Sequence, residues 1–483
     1  MIHMADHDND EAFDDPQGDD VVARILEGLE FPDGDTDEAP PALTVGRLPE
    51  WFWQTAPELG HIRQASQARL LSPEAVLCAC LARIAALSQH NLDLPAIVGA
   101  PCGLSMIAGL VGPPSAGKSA AAGVARNLLP APRGLDIADG LPIGSGEGIA
   151  ETFYGVRRET DEKGKEREVR ALVRHNAYFV VDEGQVLGDL SRRSGSTLGP
   201  TLRQLWSGVR LGQANASAER RRDVPEGHYV IGVVIGIQPD KAGPLLDDDG
   251  GGTPQRIVWA TALAPRPPDV CWPGPLTWAP PGPTDLRPYD AGTRDGYRRF
   301  EFDVAPHIRN QIREDRIADT EGTGTLPAHY NLRRLKVAGC LALLLHHEPL
   351  IDSQMWDLAD AVMASSEDVM AHMIATREHQ AALEREAADR AYVNKTARAA
   401  AASADATADR ALDRGARAAG RHVHNHSAQQ GWVGCSRRCI SRSVAGRDRK
   451  MVSVDELIDT AIAERWIVAD PDGTYLPGDS RPV

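Results

Sequence analysis

Apolar residues along this chain follow two rhythms that alternate through its middle third. Short unbroken apolar runs occupy 106–111, 178–181, 229–237 and 257–263, and stretches of helical spacing lie between them. That alternation predicts an α/β core with a mainly parallel sheet. Upstream, Ser72-Pro73-Glu74 forms a helix start, with serine as N-cap and proline in the first turn. Leu77, Leu81, Ile84 and Leu87 then recur at helical spacing.

Downstream the rhythm changes. Residues 264–288 contain nine prolines and predict an extended arm crossing the surface. A compact apolar helix is expected at 331–347, and an Ala-rich, charge-laced one at 356–420, broken near Ser403. Two short helices at 437–445 and 454–463, then strands at 466–468 and 472–476, suggest helix, turn, helix and wing. Residues 161–170 read as a solvated hairpin or loop. These shifts divide the chain into an acidic tail (1–46), a helical segment (47–103), the core (104–263), the proline-rich arm (264–330), a helical lid with a long helix (331–420) and a small C-terminal domain (421–483). No internal repeat is visible.

Charge alters this picture in one place. The formal balance of the 483 residues is -16, but residues 1–40 hold 14 acidic side chains against Arg24 alone. The rest is close to neutral, so the chain reads as a balanced body behind a disordered acidic tail, in which 21–29 could form a short helix. Arginine outnumbers lysine 45 to 7, a coding bias, so only clustered arginines point to nucleic acid. No apolar run approaches the roughly 20 residues of a membrane span, and the N-terminus lacks a signal-peptide layout. Seven scattered cysteines do not form a disulfide framework. The expectation is a cytoplasmic protein with no membrane partner.

The chemistry is carried by GPPSAGKS at 112–119, which fits G-x-x-x-x-G-K-[ST] in full between an apolar strand and a helix-compatible run. Gly112, Pro113, Pro114, Ser115, Ala116, Gly117, Lys118, Ser119 and Ala120 are the expected phosphate-binding residues for ATP. The glycines let backbone N–H groups turn inward, Lys118 reaches the β- and γ-phosphates, and Ser119 ligates Mg²⁺. Asp182 and Glu183 end the run at 178–181, Asp182 to hold Mg²⁺ and Glu183 to orient or deprotonate water. Gln238 ends the next run and reads as a γ-phosphate sensor or a loop amide. Arg256 follows a glycine cluster and reads as a mobile positive charge, supplied to a neighbouring subunit's phosphate, or as a surface arginine. Arg333 and Arg334, at the start of the helix after the arm, are candidates for a lid arginine. Glu147, in a second glycine cluster, is a catalytic or inter-subunit candidate or part of an ordinary loop.

Two basic clusters stand above the background. One holds Arg203, Arg210, Arg220, Arg221 and Arg222, on a loop or hairpin suited to a ring's channel. The other spans 414–450, with nine basic residues against Asp448, and offers Arg437, Arg438, Arg442, Arg447, Arg449 and Lys450. Its helix–turn–helix–wing layout suits duplex DNA and equally a protein contact. His422, His424, His426, Cys435 and Cys439 are candidate Zn²⁺ ligands or simply pack, because C-x₃-C is wider than a tight knuckle.

In order, GPPSAGKS, GSGEGI, FVVDE, LRQLWSG, IGIQPD and GTPQR resemble the ATPase/helicase module of primase–helicase proteins of phages, plasmids and integrative elements of high-GC bacteria. The likeness spans roughly 48–483. It implies a P-loop NTPase core of AAA+/superfamily III type, a helical lid and a C-terminal winged helix. It further implies a ring-forming motor, expected to be a hexamer, that uses ATP and Mg²⁺ to move along DNA during replication of the element. No primase domain fits ahead of residue 48, so a separate primase or replication protein is expected. The residues alone leave open a nucleotide-switched DNA-binding initiator or regulator, and a defence or packaging ATPase.

Overall fold

The computed structural model describes residues 46–160, 166–184, 197–213, 222–246, 252–264, 266–281, 288–289, 299–327 and 329–483. The acidic tail with its expected short helix, and Arg220 and Arg221, lie outside these. The chain forms two compact units, Met1–Gln380 and Ala381–Val483.

The first unit is a mixed α/β structure. Helices α1 (Glu50–Gln54), α2 (Pro57–Gln67) and α3 (Pro73–Leu87) lead into strand β1 (Met106–Val111) and helix α4 (Lys118–Leu128). Then follow β2 (Ile137–Leu141), α5 (Gly146–Glu151), a hairpin of β3 (Tyr154–Thr160) and β4 (Glu166–Leu172), and β5 (Asn176–Val181). After α6 (Leu198–Ser207) come the short hairpin strands β6 (Leu211–Gln213) and β7 (Arg222–Val224), then β8 (Val230–Ile237) and β9 (Ile257–Thr261). Five strands make one all-parallel sheet in the order β9-β1-β8-β5-β2.

The apolar runs are continuous because both faces are covered. Met106, Ala108, Leu110, Tyr178, Val234 and Val258 join α3 and α4 in one core, whereas Ile107, Val111, Phe179, Val233, Ile235 and Trp259 join α5 and α6 in another. Helix α3 forms where the apolar spacing places it and is buried along all 15 residues, not only at Leu77, Leu81, Ile84 and Leu87. Ser72 caps it, accepting from Ala75 N, and donates to Thr261 O at 2.6 Å. Arg83 is the one cation in that helix. Its guanidinium donates to both oxygens of Asp139 at 2.6 and 3.0 Å and to Leu129 O at 3.1 Å, and it lies over the Tyr178 ring. These bonds tie the buried helix to edge strand β2.

Other expectations need adjusting. The charged insertion is a hairpin, and it is longer than 161–170, since β3 and β4 pair from Tyr154↔Leu172 to Thr160↔Glu166. The span 264–330 is more than an arm. Residues 266–281 do cross the surface irregularly, with Trp278 Nε1 bonded to Leu343 O at 2.8 Å, but helix α7 (Pro306–Glu321) follows. Helix α8 (Tyr330–Leu345) comes next, then α9 (Ser353–Gln429), which is unbroken at Ser403. No helix among the described residues is long and apolar enough to cross a membrane.

The second unit packs Ala411, Ala416, Ala419 and Val423 of α9 against a small domain, so its core begins well before residue 421. That domain contains β10 (Cys435–Ser436), α10 (Arg437–Ser443), α11 (Gly446–Met451), α12 (Val454–Ala463), β11 (Ile467–Ala469) and β12 (Thr474–Pro477). Its antiparallel sheet has the order β10-β12-β11. The expected pair of helices is thus three, and the two expected strands are joined by a third, β10.

Helix α3 lies so close to the sheet that a Cβ on Gly232 would sit 1.9 Å from Ala82 O. Gly232→Ala should therefore destabilise the protein by about 3 kcal/mol or more, the upper range for overpacking. Gly123 is exposed in α4, and a methyl group added there would meet nothing within 4 Å. Its change to alanine should instead stabilise the protein by about 0.5–1 kcal/mol. Urea denaturation midpoints of the two variants check both signs.

Candidate functional site

The four strands β9, β1, β8 and β5 run parallel, so the loops leaving their carboxyl ends share one edge of the sheet. The register fixes how level they are: Ile237 of β8 faces Val111 of β1, and Ile235 faces Val181 of β5. Gly112, Asp182 and Gln238 each follow their strand at that edge. Ligands in open parallel sheets bind at this carboxyl side.

Residues 112–119 form a tight loop between β1 and α4. Gly112 N donates to Ile237 O at 3.0 Å. Ser115 and Gly117 take left-handed conformations, with φ of 64° and 85°. At Gly117 a side chain is also barred by space, because its Cβ would meet Leu71 Cδ2 at 2.4 Å. The first i→i−4 bond of α4 is Ala121 N to Gly117 O, so the N–H groups of Lys118, Ser119 and Ala120 have no carbonyl behind them within the helix. They form the positive end of the helix. Pro113, Pro114, Ser115, Ser119 and Ala120 are exposed, and Ala116 is half-buried.

Lys118 curls back over this loop, and its Nζ donates to Gly112 O and Pro113 O, each at 2.7 Å. Burial lowers its pKa, and the Asp240 carboxylate opposes that shift. Asp240 is a site residue that the sequence motifs do not single out. It lies three residues before Gly243 in the polar run that follows β8, and the one signal for it is a carboxylate close to Gln238 in IGIQPD.

Asp182 and Glu183 are both exposed just past β5. What brings them near the loop is Gly236, the residue of β8 between the two. A Cβ at Gly236 would lie 2.8 Å from Asp182 O and 3.3 Å from Lys118 Cβ. Gln238 is half-buried in extended conformation, and its carbonyl accepts from Lys241 N at 3.0 Å. Loop, lysine, carboxylate pair and Gln238 therefore converge. β1 and β5 are two strand spacings apart, roughly 10 Å, with β8 between them.

Other candidates lie elsewhere. Arg256 immediately precedes β9, whose Ile257 pairs with Ile107, so it sits at the amino edge of the sheet. It is roughly 20 Å of strand away from Gly112. There Nη1 donates to Gly252 O at 2.6 Å and the guanidinium lies over Trp206. Arg333 and Arg334 are corrected from lid arginines to structural residues. Arg333 is fully buried, donating to Ile257 O at 3.1 Å and to Glu367 at 2.5 Å. Arg334 bonds Trp356 O and pairs with Asp360 at 3.1 Å. Glu147 is exposed on α5, where Gly146 packs tightly against Thr197 and Thr201.

The hairpin β6–β7 is present, but it springs from the amino edge, beside Tyr229 and Gly103, and so is not next to the loop. Arg210 there pairs with Asp223 at 2.7 Å, and only the backbone of Arg222, in β7, is described. In the second unit Arg437 makes a two-point contact with Asp455 at 2.6 and 2.8 Å, and Arg447 lies 3.9 Å from Asp448. Arg438, Arg442, Arg449 and Lys450 belong to α10 and α11, and all four are exposed. Helix α12 presents Asp455, Glu456 and Asp459 to solvent.

Because Pro113 is exposed and the bond to Gly112 O is only part-buried, water can replace the lysine. Lys118→Ala should change folding stability by less than about 1 kcal/mol, as judged by thermal melting. A larger loss would make the lysine a structural clamp. No protein-family model and no curated protein matches the chain.

Proposed function

We propose that the chain hydrolyses ATP at the carboxyl edge of its parallel sheet. The observation that carries this reading is the convergence of the glycine-lysine loop with Asp182 and Glu183 across Gly236. Triphosphate oxygens take the N–H groups of Lys118, Ser119 and Ala120, and Lys118 moves its ammonium from the carbonyls of Gly112 and Pro113 to the phosphates. A serine hydroxyl and a carboxylate are hard oxygen donors, so Ser119 and Asp182 fit Mg²⁺, which neutralises charge on the bound phosphates. Glu183 accepts a proton from a water whose oxygen attacks the γ-phosphorus; the bond to the β,γ-bridging oxygen breaks and ADP leaves. Gln238 holds the γ-phosphate or the water from the adjacent strand end.

The larger reading is a motor on DNA. Arg256 lies too far from its own chain's loop to act there, so a role at phosphate requires a second copy, as in a ring, with six copies the expected number. DNA contact falls best on the arginines of α10 and α11, because the solvent face of α12 is acidic. That acidic face favours a second reading for the C-terminal domain, a docking module for a basic partner protein.

Steady-state ATP hydrolysis with and without single- and double-stranded DNA tests this. Lys118→Ala should abolish turnover, and Glu183→Gln should keep ATP binding while losing about 10²–10⁴-fold in rate. Normal turnover by Glu183→Gln would refute the assignment of the water-activating residue. Converting Arg438, Arg442 and Arg449 together to alanine should flatten the salt dependence of DNA affinity by about 2–3 logarithmic slope units. An unchanged slope would move the DNA contact away from α10 and α11.

A further inference from the structure

The chemistry of the second unit is not exhausted by its arginines. His422 and His426 stand four residues apart on α9, on one face, with ring centroids 6.0 Å apart. His422 Nε2 lies 3.1 Å from Cys439 Sγ. The ligand atoms of His422, His426 and Cys439 all fall within 4.8 Å of one another. Cys435, fully buried at the start of β10, lies four residues before Cys439, with its Sγ 3.9 Å from Ser436 O and near enough to the Cys439 thiol for the two to repel each other as thiolates. Three donors of the kind zinc prefers are thus gathered from two segments, with Cys435 the candidate for a fourth.

We propose that His422, His426, Cys439 and Cys435 bind one Zn²⁺ ion. The spacings H-x₃-H and C-x₃-C lie within the ranges of structural zinc sites, although here the histidine pair comes first. Tetrahedral donors at about 2.0–2.3 Å from zinc sit roughly 3.3–3.8 Å apart, so the cluster needs to close by about an ångström. Two thiolates and two neutral imidazoles cancel the ion's charge, which suits a half-buried site. His424 is excluded by direction: its Nε2 faces Trp466 O and Ser480 O at 2.9 and 3.1 Å, away from the two thiols. The ion would fasten the end of α9 to β10 and α10, and so fix the helix that carries Arg438 and Arg442. This proposal is independent of the ATPase reading.

The test uses the full chain, purified under reducing conditions and reconstituted with zinc alone, then with cobalt as a spectroscopic substitute. Elemental analysis should find one zinc per chain, and cobalt should give the intense visible bands of tetrahedral coordination with thiolate charge transfer. His426→Ala and Cys439→Ser should each weaken zinc affinity by more than about 100-fold, beyond the loss typical of outer-shell changes. Cys435→Ser should roughly halve the thiolate charge-transfer intensity, and His424→Ala should leave affinity unchanged. A chelator should lower the melting temperature of the wild-type chain, a readout that needs no variant to fold. Sub-stoichiometric zinc after reconstitution, a Cys435–Cys439 disulfide under these reducing conditions, or equal affinity in Cys439→Ser would overturn the proposal.

Discussion

The arrangement rests on how closely backbone can approach backbone along β8. At Gly232 the carbonyl of Ala82 occupies the space a side chain would need, and at Gly236 the carbonyl of Asp182 and the Cβ of Lys118 do the same. The first contact seats a fully buried helix on the sheet. The second lets the strand ends on either side close over the middle strand. Parallel pairing then keeps those ends level, since Val111, Ile237 and Val181 are tied by continuous register. Leu71, from the turn before α3, presses on Gly117 and carries the helix's position into the loop. A rigid edge of this kind is what an anion site needs, because donors fixed beforehand need no reorganisation when charge arrives.

Much of this is legible in the sequence, for definite reasons. Strands buried on both faces read as unbroken apolar runs, so β1, β5, β8 and β9 stand out to within a few residues. Strand β2 does not, because it is an edge strand whose Asp139 and Gly140 interrupt any run. Buried cations are hidden for another reason: Arg83, Arg333 and Lys336 look like surface residues until their partners are known. Lys336 donates to Gly103 O, and burial lowers its pKa. Arg256 illustrates a rule the sequence already contains. In a parallel sheet, residues that follow strands gather at one edge, and a residue that precedes a strand goes to the other.

The charge pattern also takes a different shape in three dimensions. Several arginines stand inside the first unit or at its internal ion pairs, which agrees with discounting arginine content as a sign of nucleic acid. In the second unit the sequence contrast between a basic stretch and an acidic stretch becomes a contrast between helices, with α10 and α11 basic and α12 acidic. Asp455 and Arg437 join the two halves. The histidines and cysteines of the same unit divide by helical direction, His424 toward Trp466 and its neighbours toward Cys439.

The most direct measurement of the central claim is an equilibrium titration of the full chain with a fluorescent ATP analogue, run with Mg²⁺ and then with chelator. One nucleotide per chain should bind saturably, tighten with Mg²⁺ and be displaced by unlabelled ATP. Failure to saturate at millimolar nucleotide, or displacement that ignores the triphosphate and responds equally to adenosine, would contradict it.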